Sequence, residues 1–156
     1  MSDDSPPATI EVALLVNQVH ALATQRLNAV LRPMDLTSRH VAVMFQIRDG
    51  VQTQRDLVVR LNTDKTGMVR TIDDLERLGH VSRTPSDRDR RVTILRLTSD
   101  GEDALRTAQL HTKAVADDLF HGIDADDLTS LRSILTHTLR ERPADSGVGT
   151  EIAADQ

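Results

Sequence analysis

The sequence predicts a mainly α-helical protein with a small β-hairpin wing, in which a winged helix-turn-helix is combined with a helical dimerisation layer. A short helix, a polar turn and a longer amphipathic helix follow one another over residues 54–79, and this order outlines a helix-turn-helix. Two runs rich in β-branched residues, over 81–85 and 92–98, predict a hairpin directly after it. Three further apolar stripes with helical spacing lie on either side of this unit.

The longer helix of the motif is predicted over Thr63 to Gly79, with the threonine as its cap and the glycine as its stop. One face is apolar, because three residues recur with a helical period: Met68, Ile72 and Leu75. The other face carries cations and small hydroxyls: Lys65, Thr66, Arg70 and Thr71. Such a face suits a helix that contacts a phosphate-lined groove.

The remaining helices are predicted from caps, stops and apolar periodicity. The first helix of the motif runs from Gln54 to Arg60, with Thr53 as its cap and Asp56 where a capping-box acid would sit. Flanking helices are predicted over Thr9–Arg32, Thr37–Asp49, about Ser99–His121, and Ala125–Arg140 with Asp124 as its cap.

Charge is distributed unevenly along the chain. The whole chain has a net charge of −5, but residues 53–98 hold ten Lys and Arg against seven Asp and Glu, a net of +3. Positive charge is therefore concentrated where the helix-turn-helix and the wing lie, which favours nucleic acid as a partner of that region. The chain has no Cys, no Trp, no Tyr and two Phe. A thiol switch and aromatic base-stacking platforms are thus excluded, and the core must be aliphatic.

Four segments resemble the MarR family of regulators: Asp64-Lys65-Thr66, the run LERLGHV over 75–81, the wing sequence DRDRR over 87–91, and LTSDG over 97–101. The resemblance covers about Thr9 to Arg142, and the wing and the last segment are specific together. It implies a dimeric winged-helix transcription factor, usually a repressor, that is often released from DNA by a small ligand or by oxidation. Gly67 and Val69 depart from the hydroxyl residues that the family often has there.

The resemblance favours DNA contact for residues that could otherwise form an ordinary solvated helix face or a salt-bridged surface turn. The expected DNA-binding residues are Asn62, Lys65, Thr66, Gly67, Val69, Arg70, Arg88, Arg90 and Arg91. The recognition helix would face the major groove, Arg88 and Arg90 the minor groove, and Asn62 a phosphate. A glycine inside the helix would allow a close approach to a base or sugar.

The sequence also predicts a division of labour along the chain. Residues 1–8 are expected to be a disordered arm and 143–156 a disordered tail. Residues 36–98 form the winged helix-turn-helix DNA-binding region, and 9–35 with 99–142 form the helical dimerisation region. The three additional apolar helices could simply pack into the core of a monomer, or their surplus apolar surface could be covered by a partner copy. The family resemblance favours the dimer.

The expected partners are pseudo-palindromic duplex DNA, a second copy of the chain and a small-molecule effector. The winged helix-turn-helix region, residues 36–98, is called the reading unit below. An effector pocket is expected between the first helix and this unit, lined by Val16, His20, Met44 and Phe45; the alternative for all four is core packing. The alternative functions are a metal-sensing regulator and a protein-interaction module that uses a winged helix without reading DNA.

Catalysis and cofactors find little support in the sequence. Asp117 and His121 have metal-ligand spacing on one helix, but most such pairs are surface ion pairs, so no metal and no cofactor is expected. No nucleophile elbow, P-loop or dinucleotide motif is present, so an enzyme is the weaker hypothesis. The acidic start of the chain and the lack of a long apolar run predict a cytoplasmic protein without a membrane span.

Overall fold

A computed structural model of the chain describes residues 8–140 and shows a mostly helical fold with one β-hairpin. The helices are α1 (Ala8–Leu31), α2 (Ser38–Arg48), α3 (Gln54–Arg60), α4 (Lys65–Arg77), α5 (Ser99–Leu119) and α6 (Ala125–Arg140). The strands are β1 (Val81–Pro85) and β2 (Thr93–Leu97). The predicted tail, 143–156, lies outside the described residues, and so do residues 1–7 of the predicted arm. Ala8 was predicted to belong to the arm, but it is the first residue of α1.

The predicted fold class, a mainly helical winged helix-turn-helix, is confirmed. The described residues fall into two compact units that divide between Leu119 and Phe120. In the first unit α1 packs against α5 and α2, and α2 to β2 form the winged helix. The second unit contains α6. Across residues 8–140, every helix is too short or too polar to cross a membrane.

The core of the first unit is aliphatic, as the composition predicted. Its fully enclosed side chains come from α1, α2, α3, α4, β2 and α5: Leu31, Val43, Met44, Leu57, Met68, Ile72, Leu75, Leu95 and Leu105. A single core therefore joins the end of α1 and the start of α5 to the helix-turn-helix. Burial of this apolar surface is the main force that holds the reading unit together.

Side-chain caps set most of the helix starts. The Thr53 hydroxyl accepts a hydrogen bond from the Asp56 N–H, and the Asp124 carboxylate accepts bonds from the N–H groups of Asp126 and Asp127, as predicted. At α2, Thr37 and His40 form a reciprocal capping box that the sequence analysis did not identify.

The hairpin is antiparallel, with Val81 opposite Leu97 and Pro85 opposite Thr93. The other edge of β2 is tied to the segment between α2 and α3, because the Leu95 N–H donates to the Gln52 carbonyl at 2.8 Å. Val81 and Leu95 are both buried in the core. The wing is thus anchored at its base by backbone pairing and by apolar burial.

The junction between α4, the wing and α5 explains the LTSDG segment. The Thr98 hydroxyl accepts a bond from the Gly101 N–H at 2.9 Å and donates one to the Gly79 carbonyl at 2.6 Å. Thr98 therefore caps α5 and ties it to the turn after α4. A Cβ on Gly101 would overlap the backbone carbonyl of His80, so only glycine allows the first turn of α5 to approach so closely.

Candidate nucleic-acid interface

The turn of the helix-turn-helix is built from Asn62 and Thr63. Asn62 adopts a left-handed conformation with φ of 47°, which asparagine tolerates better than most residues. The prediction that Thr63 caps the recognition helix α4 is wrong. The cap is Asp64, whose carboxylate accepts a bond from the Gly67 N–H at 2.6 Å. A carboxylate also interacts favourably with the positive end of the helix dipole.

The carboxyl of Asp64 is held in its charged form. Its pKa lies below the ordinary value, chiefly because the carboxylate accepts the hydrogen bond of Gly67, and the charges of Arg39 and Arg70 act in the same direction. A fixed negative charge thus stands at the start of the recognition helix. Two arginines lie close enough to offset it.

The two faces of α4 separate as the periodicity predicted. Met68, Ile72 and Leu75 are fully buried, whereas Lys65, Thr66 and Arg70 are exposed. Thr71 corrects the predicted exposed face: it is buried, and its hydroxyl donates to the Gly67 carbonyl at 2.8 Å. The polar group of Thr71 is satisfied inside its own helix and is not presented outward.

Gly67 and Val69 are half-buried on α4. The space beside Gly67 is filled by the side chain of Arg39 from α2, so that an added Cβ would lie 2.7 Å from Arg39 Nη2. The Arg39 guanidinium also donates to the Thr63 hydroxyl and lies 3.8 Å from Asp64 Oδ2. Sequence reasoning missed Arg39, because its partners follow it by 24 or more positions.

The tip of the wing presents Arg88, Arg90 and Arg91, and all three are exposed. The loop is organised by Asp89, whose carboxylate accepts a bond from the Arg91 N–H at 3.0 Å and whose carbonyl accepts one from the Val92 N–H at 2.9 Å. Asp89 therefore has a structural role, as the sequence analysis expected. It shapes the turn that carries the arginines.

The wing is fastened to the recognition helix by Arg83 on β1. Its guanidinium pairs with Asp73 at 2.5 Å and with Glu76, both on α4. Burial opposes the charge of Arg83, but the hydrogen bonds and charges of the two acids outweigh it and raise the pKa. The sequence showed Arg83 only as a polar exception in a strand. Its pairing with Asp73 and Glu76 depends on how the hairpin is oriented against α4, which the sequence does not show.

The cations on this surface are available for a ligand. Lys65, Arg70, Arg88, Arg90 and Arg91 form no ion pair within residues 8–140. Many other cations of the described chain are paired, including Arg26, Arg48, Arg77, Arg83, Arg106 and Lys113. Cations without an ion-pair partner among the described residues thus lie at the start of α4 and at the wing tip, where they can attract phosphates.

The four residues expected to line an effector pocket lie in different environments. Met44 is fully buried in the core, and Phe45 is half-buried, with the guanidinium of Arg48 4.6 Å from its ring centre. Val16 and His20 are exposed on α1. The pocket stays a prediction.

Metal ligation was considered at Asp117 and His121. Asp117 pairs with Lys113 at 2.5 Å, and His121 is exposed. In the part of the chain that the structure describes, no group of three or more His, Asp and Glu side chains is placed to hold a metal ion.

These features define a class of protein: a winged helix-turn-helix of the kind found in transcriptional regulators, with a basic recognition helix and a basic wing. Comparison with known proteins then shows a similarity to one family. Residues 34–92 match the model of the MarR family, and this range runs from just after α1 to just before β2. Over this range the chain is similar to the MarR family of DNA-binding transcriptional regulators, one member of which is solved with operator DNA.

Solved structures agree over most of the chain. A mutant of MarR from E. coli complexed with operator DNA is 27% identical, with a TM-score of 0.75, over 85% of this chain and 96% of that one. A MarR-family regulator from Rhodococcus sp. RHA1 shares the fold at 23% identity, with a TM-score of 0.78 over 86% and 96%. CouR from Rhodococcus jostii RHA1, bound to p-coumaroyl-CoA, shares it at 22% identity, with a TM-score of 0.78 over 90% and 100%.

Proposed function

We propose that this protein is a homodimeric repressor that binds a pseudo-palindromic operator and is released by a small ligand. The observation that carries the DNA-binding part is the set of cations on α4 and the wing tip that have no ion-pair partner among the described residues. In the same region, Arg83 ties the wing to α4, so the two basic elements are held in a fixed relation. Fixed geometry between a helix and a wing is what simultaneous contact with two grooves requires.

Each DNA-binding residue has a role that its position supports. Lys65, Thr66 and Arg70 would meet base edges and phosphates in the major groove, with Gly67 and Val69 facing the same groove from half-buried positions. Arg88, Arg90 and Arg91 would enter or flank the minor groove, whose narrow negative potential attracts guanidinium groups. Asn62, exposed in the turn, would bond a phosphate.

Dimerisation is supported by apolar surface that the described chain leaves uncovered. On α1 the exposed large hydrophobic residues are Ile10, Val12, Leu14, Leu15, Val16, Val19 and Leu22. On α6 they are Ile134, Leu135 and Leu139. We infer that a second copy covers these faces, because extended apolar surface is costly in water and a two-fold pair would bury the same patch on both chains.

Ligand release is supported by a relative. CouR shares the fold and is bound to p-coumaroyl-CoA, so this architecture accommodates a small-molecule effector. An effector acts by binding one conformation more tightly, typically with a coupling of about 1–3 kcal/mol. The effector pocket is proposed near α1 and α2, where Val16, His20, Met44 and Phe45 lie. A regulator of this kind must share a compartment with the chromosome, so we place it in the cytoplasm.

The experiment that tests the DNA-binding part compares two arginines on two duplexes. Arg70→Ala should weaken binding to a duplex from the promoter of the protein's own gene by about 1–3 kcal/mol if the contact is bidentate to guanine. The loss on a random duplex should be much smaller. Arg90→Ala should weaken both duplexes more evenly and reduce the log–log salt slope by roughly one unit for each wing, because it acts through groove potential and phosphates.

Arg106→Ala is the matched control, since Arg106 is exposed but pairs with Asp103 on α5, away from the basic surface. It should leave both isotherms and the salt slope unchanged. If Arg70→Ala weakened both duplexes equally while Arg90→Ala abolished discrimination, the two roles would be reversed. Binding with no salt dependence would instead favour a protein-interaction module.

A further inference from the structure

One arginine outside the helix-turn-helix is built into the start of the recognition helix. Arg39, in the first turn of α2, donates from its guanidinium to the Thr63 hydroxyl and pairs with Asp64 at 3.8 Å. Its side chain is 43% exposed. A single guanidinium therefore contacts both the turn residue before α4 and the residue that caps α4.

The same guanidinium accounts for the glycine inside α4. A Cβ at Gly67 would lie 2.7 Å from Arg39 Nη2, 3.1 Å from Arg39 Cζ and 2.8 Å from Asp64 Oδ2. Glycine lowers helix propensity at this position, so its presence requires a local reason. The reason that the structure supports is the room that Gly67 leaves for Arg39, whereas the sequence suggested close approach of DNA or drift at a tolerant site.

The charge at this point also needs compensation. Asp64 caps α4 on the surface proposed to approach phosphates, and an isolated carboxylate there would repel them. Arg39 places a positive charge beside that carboxylate. The contacts of Arg39 with Thr63 and Asp64, called the clamp below, thus keep the Asp64 cap in place and offset its charge.

We propose that Arg39 is a positioning residue of the DNA-reading surface. It holds the first turn of α4 through Thr63, Asp64 and the space at Gly67, so that Lys65, Thr66 and Arg70 meet the operator in one fixed geometry. This inference rests on the proposed DNA binding. It assigns to α2 a part in operator recognition that acts through the position of α4 and not through a contact between α2 and the DNA.

The first test is Arg39→Ala, measured on the own-promoter duplex and on a random duplex at several salt concentrations. Operator affinity should fall by about tenfold, a size typical of coupled neighbours, while random-duplex affinity and the salt slope stay as in the wild type. Arg39→Lys should recover part of the loss, because an ammonium can keep the Asp64 pair but not all three contacts. A salt slope reduced by roughly one unit per half-site would show a direct phosphate contact and overturn the positioning role.

The second test is a double-mutant cycle with Gly67→Ala. In the wild-type background the new Cβ displaces the guanidinium, so operator affinity should fall. In the Arg39→Ala background the same substitution should cost much less, because the group that it displaces is gone. An equal loss in both backgrounds would mean that Gly67 serves close approach of DNA and would overturn the proposal.

Arg48→Ala is the matched control, because Arg48 lies at the other end of α2, is equally 43% exposed and pairs with Asp49. It should leave operator affinity unchanged.

Amide exchange in the free protein tests the clamp without DNA: Arg39→Ala should speed exchange of the Gly67 N–H, which bonds to Asp64, and Arg48→Ala should not. Unchanged exchange would contradict the clamp. Failure of the wild type to bind any duplex would contradict the proposed function. The exchange result would still test the clamp, because it is measured without DNA.

Discussion

Helices α1 and α4 are both amphipathic, yet the chain treats their apolar faces in opposite ways. On α4, Met68, Ile72 and Leu75 are completely enclosed. On α1, Leu15 and Val16 are 51% and 49% exposed, and the helix enters the core only near its end, at Leu31. The apolar face of α4 is buried by other parts of the described chain, whereas most of the apolar face of α1 stays exposed among residues 8–140.

The contrast indicates that the reading unit and α1 gain their stability from different contacts. The reading unit is stabilised by its own core and by ties such as the Arg83 pairs, so it holds its shape at any protein concentration. In the proposed dimer the exposed face of α1 would be buried by the partner copy, so its contribution to stability should depend on protein concentration. The helix that reads DNA is thus fixed by folding, and the helix proposed to join two copies is fixed by association.

The largest expected effect is in the core beneath the recognition helix. Ile72→Ala should lower the free energy of unfolding by about 2–5 kcal/mol, because it removes a fully buried side chain and leaves a cavity. Chemical denaturation at two protein concentrations measures the loss, which should be similar at both. Val16→Ala is the comparison on α1, and its effect should shrink as the protein is diluted. Equal, concentration-independent losses would remove the distinction between the two helices.

A charge on the open face of α1 should break association and leave folding intact. Leu15→Glu should weaken the dimer by about tenfold or more, because a carboxylate would be buried without a partner in the pair of chains. Sedimentation over a range of concentrations measures this. Val59→Glu is the matched control, since Val59 is an exposed hydrophobic residue on α3, outside the proposed dimer face. If Leu15→Glu sedimented as the wild type does, α1 would not be the dimer contact.

The smallest effect concerns a buried histidine in the reading unit. His40 Nδ1 accepts a bond from the Thr37 N–H at 3.1 Å, and Nε2 lies 3.8 Å from Asp74. Burial lowers the pKa of His40 below its ordinary 6.5, although the charge of Asp74 acts against the shift; His80, Arg77 and Arg39 also lower it. Its contribution to stability should therefore be present above pH 6.5 and be lost as the pH falls through the lower folded-state pKa, since the unfolded chain takes up the proton first.

His40→Gln keeps a side-chain acceptor for the capping box but does not titrate. The variant should show a shallower loss of stability than the wild type between pH 6.5 and the folded-state pKa, as measured by thermal unfolding across pH. His20→Gln is the control on the exposed face of α1 and should follow the wild type. An acid sensitivity that persisted in His40→Gln would assign the titration to another group.

The helices, the hairpin and most caps could be predicted, because each depends on residues a few positions apart. The bounds of α3, β1 and α6 were predicted correctly, and so were the caps at Thr53 and Asp124. The cap of α4 was predicted one residue too early. Thr63 and Asp64 are both good caps; in the structure Asp64 caps α4, and the Thr63 hydroxyl instead accepts a bond from Arg39 on another helix.

By itself the sequence determined the order of elements, the buried face of α4 and the basic character of the recognition helix and wing, since periodicity, capping and composition are local properties. Its short motifs also showed the resemblance to the MarR family. Only the tertiary structure decided that Arg83 joins the wing to α4, that Arg39 occupies the space beside Gly67, and that the apolar face of α1 is left exposed by residues 8–140. These features depend on contacts between side chains that folding brings together from separate helices and strands. Spacing along one element does not show them.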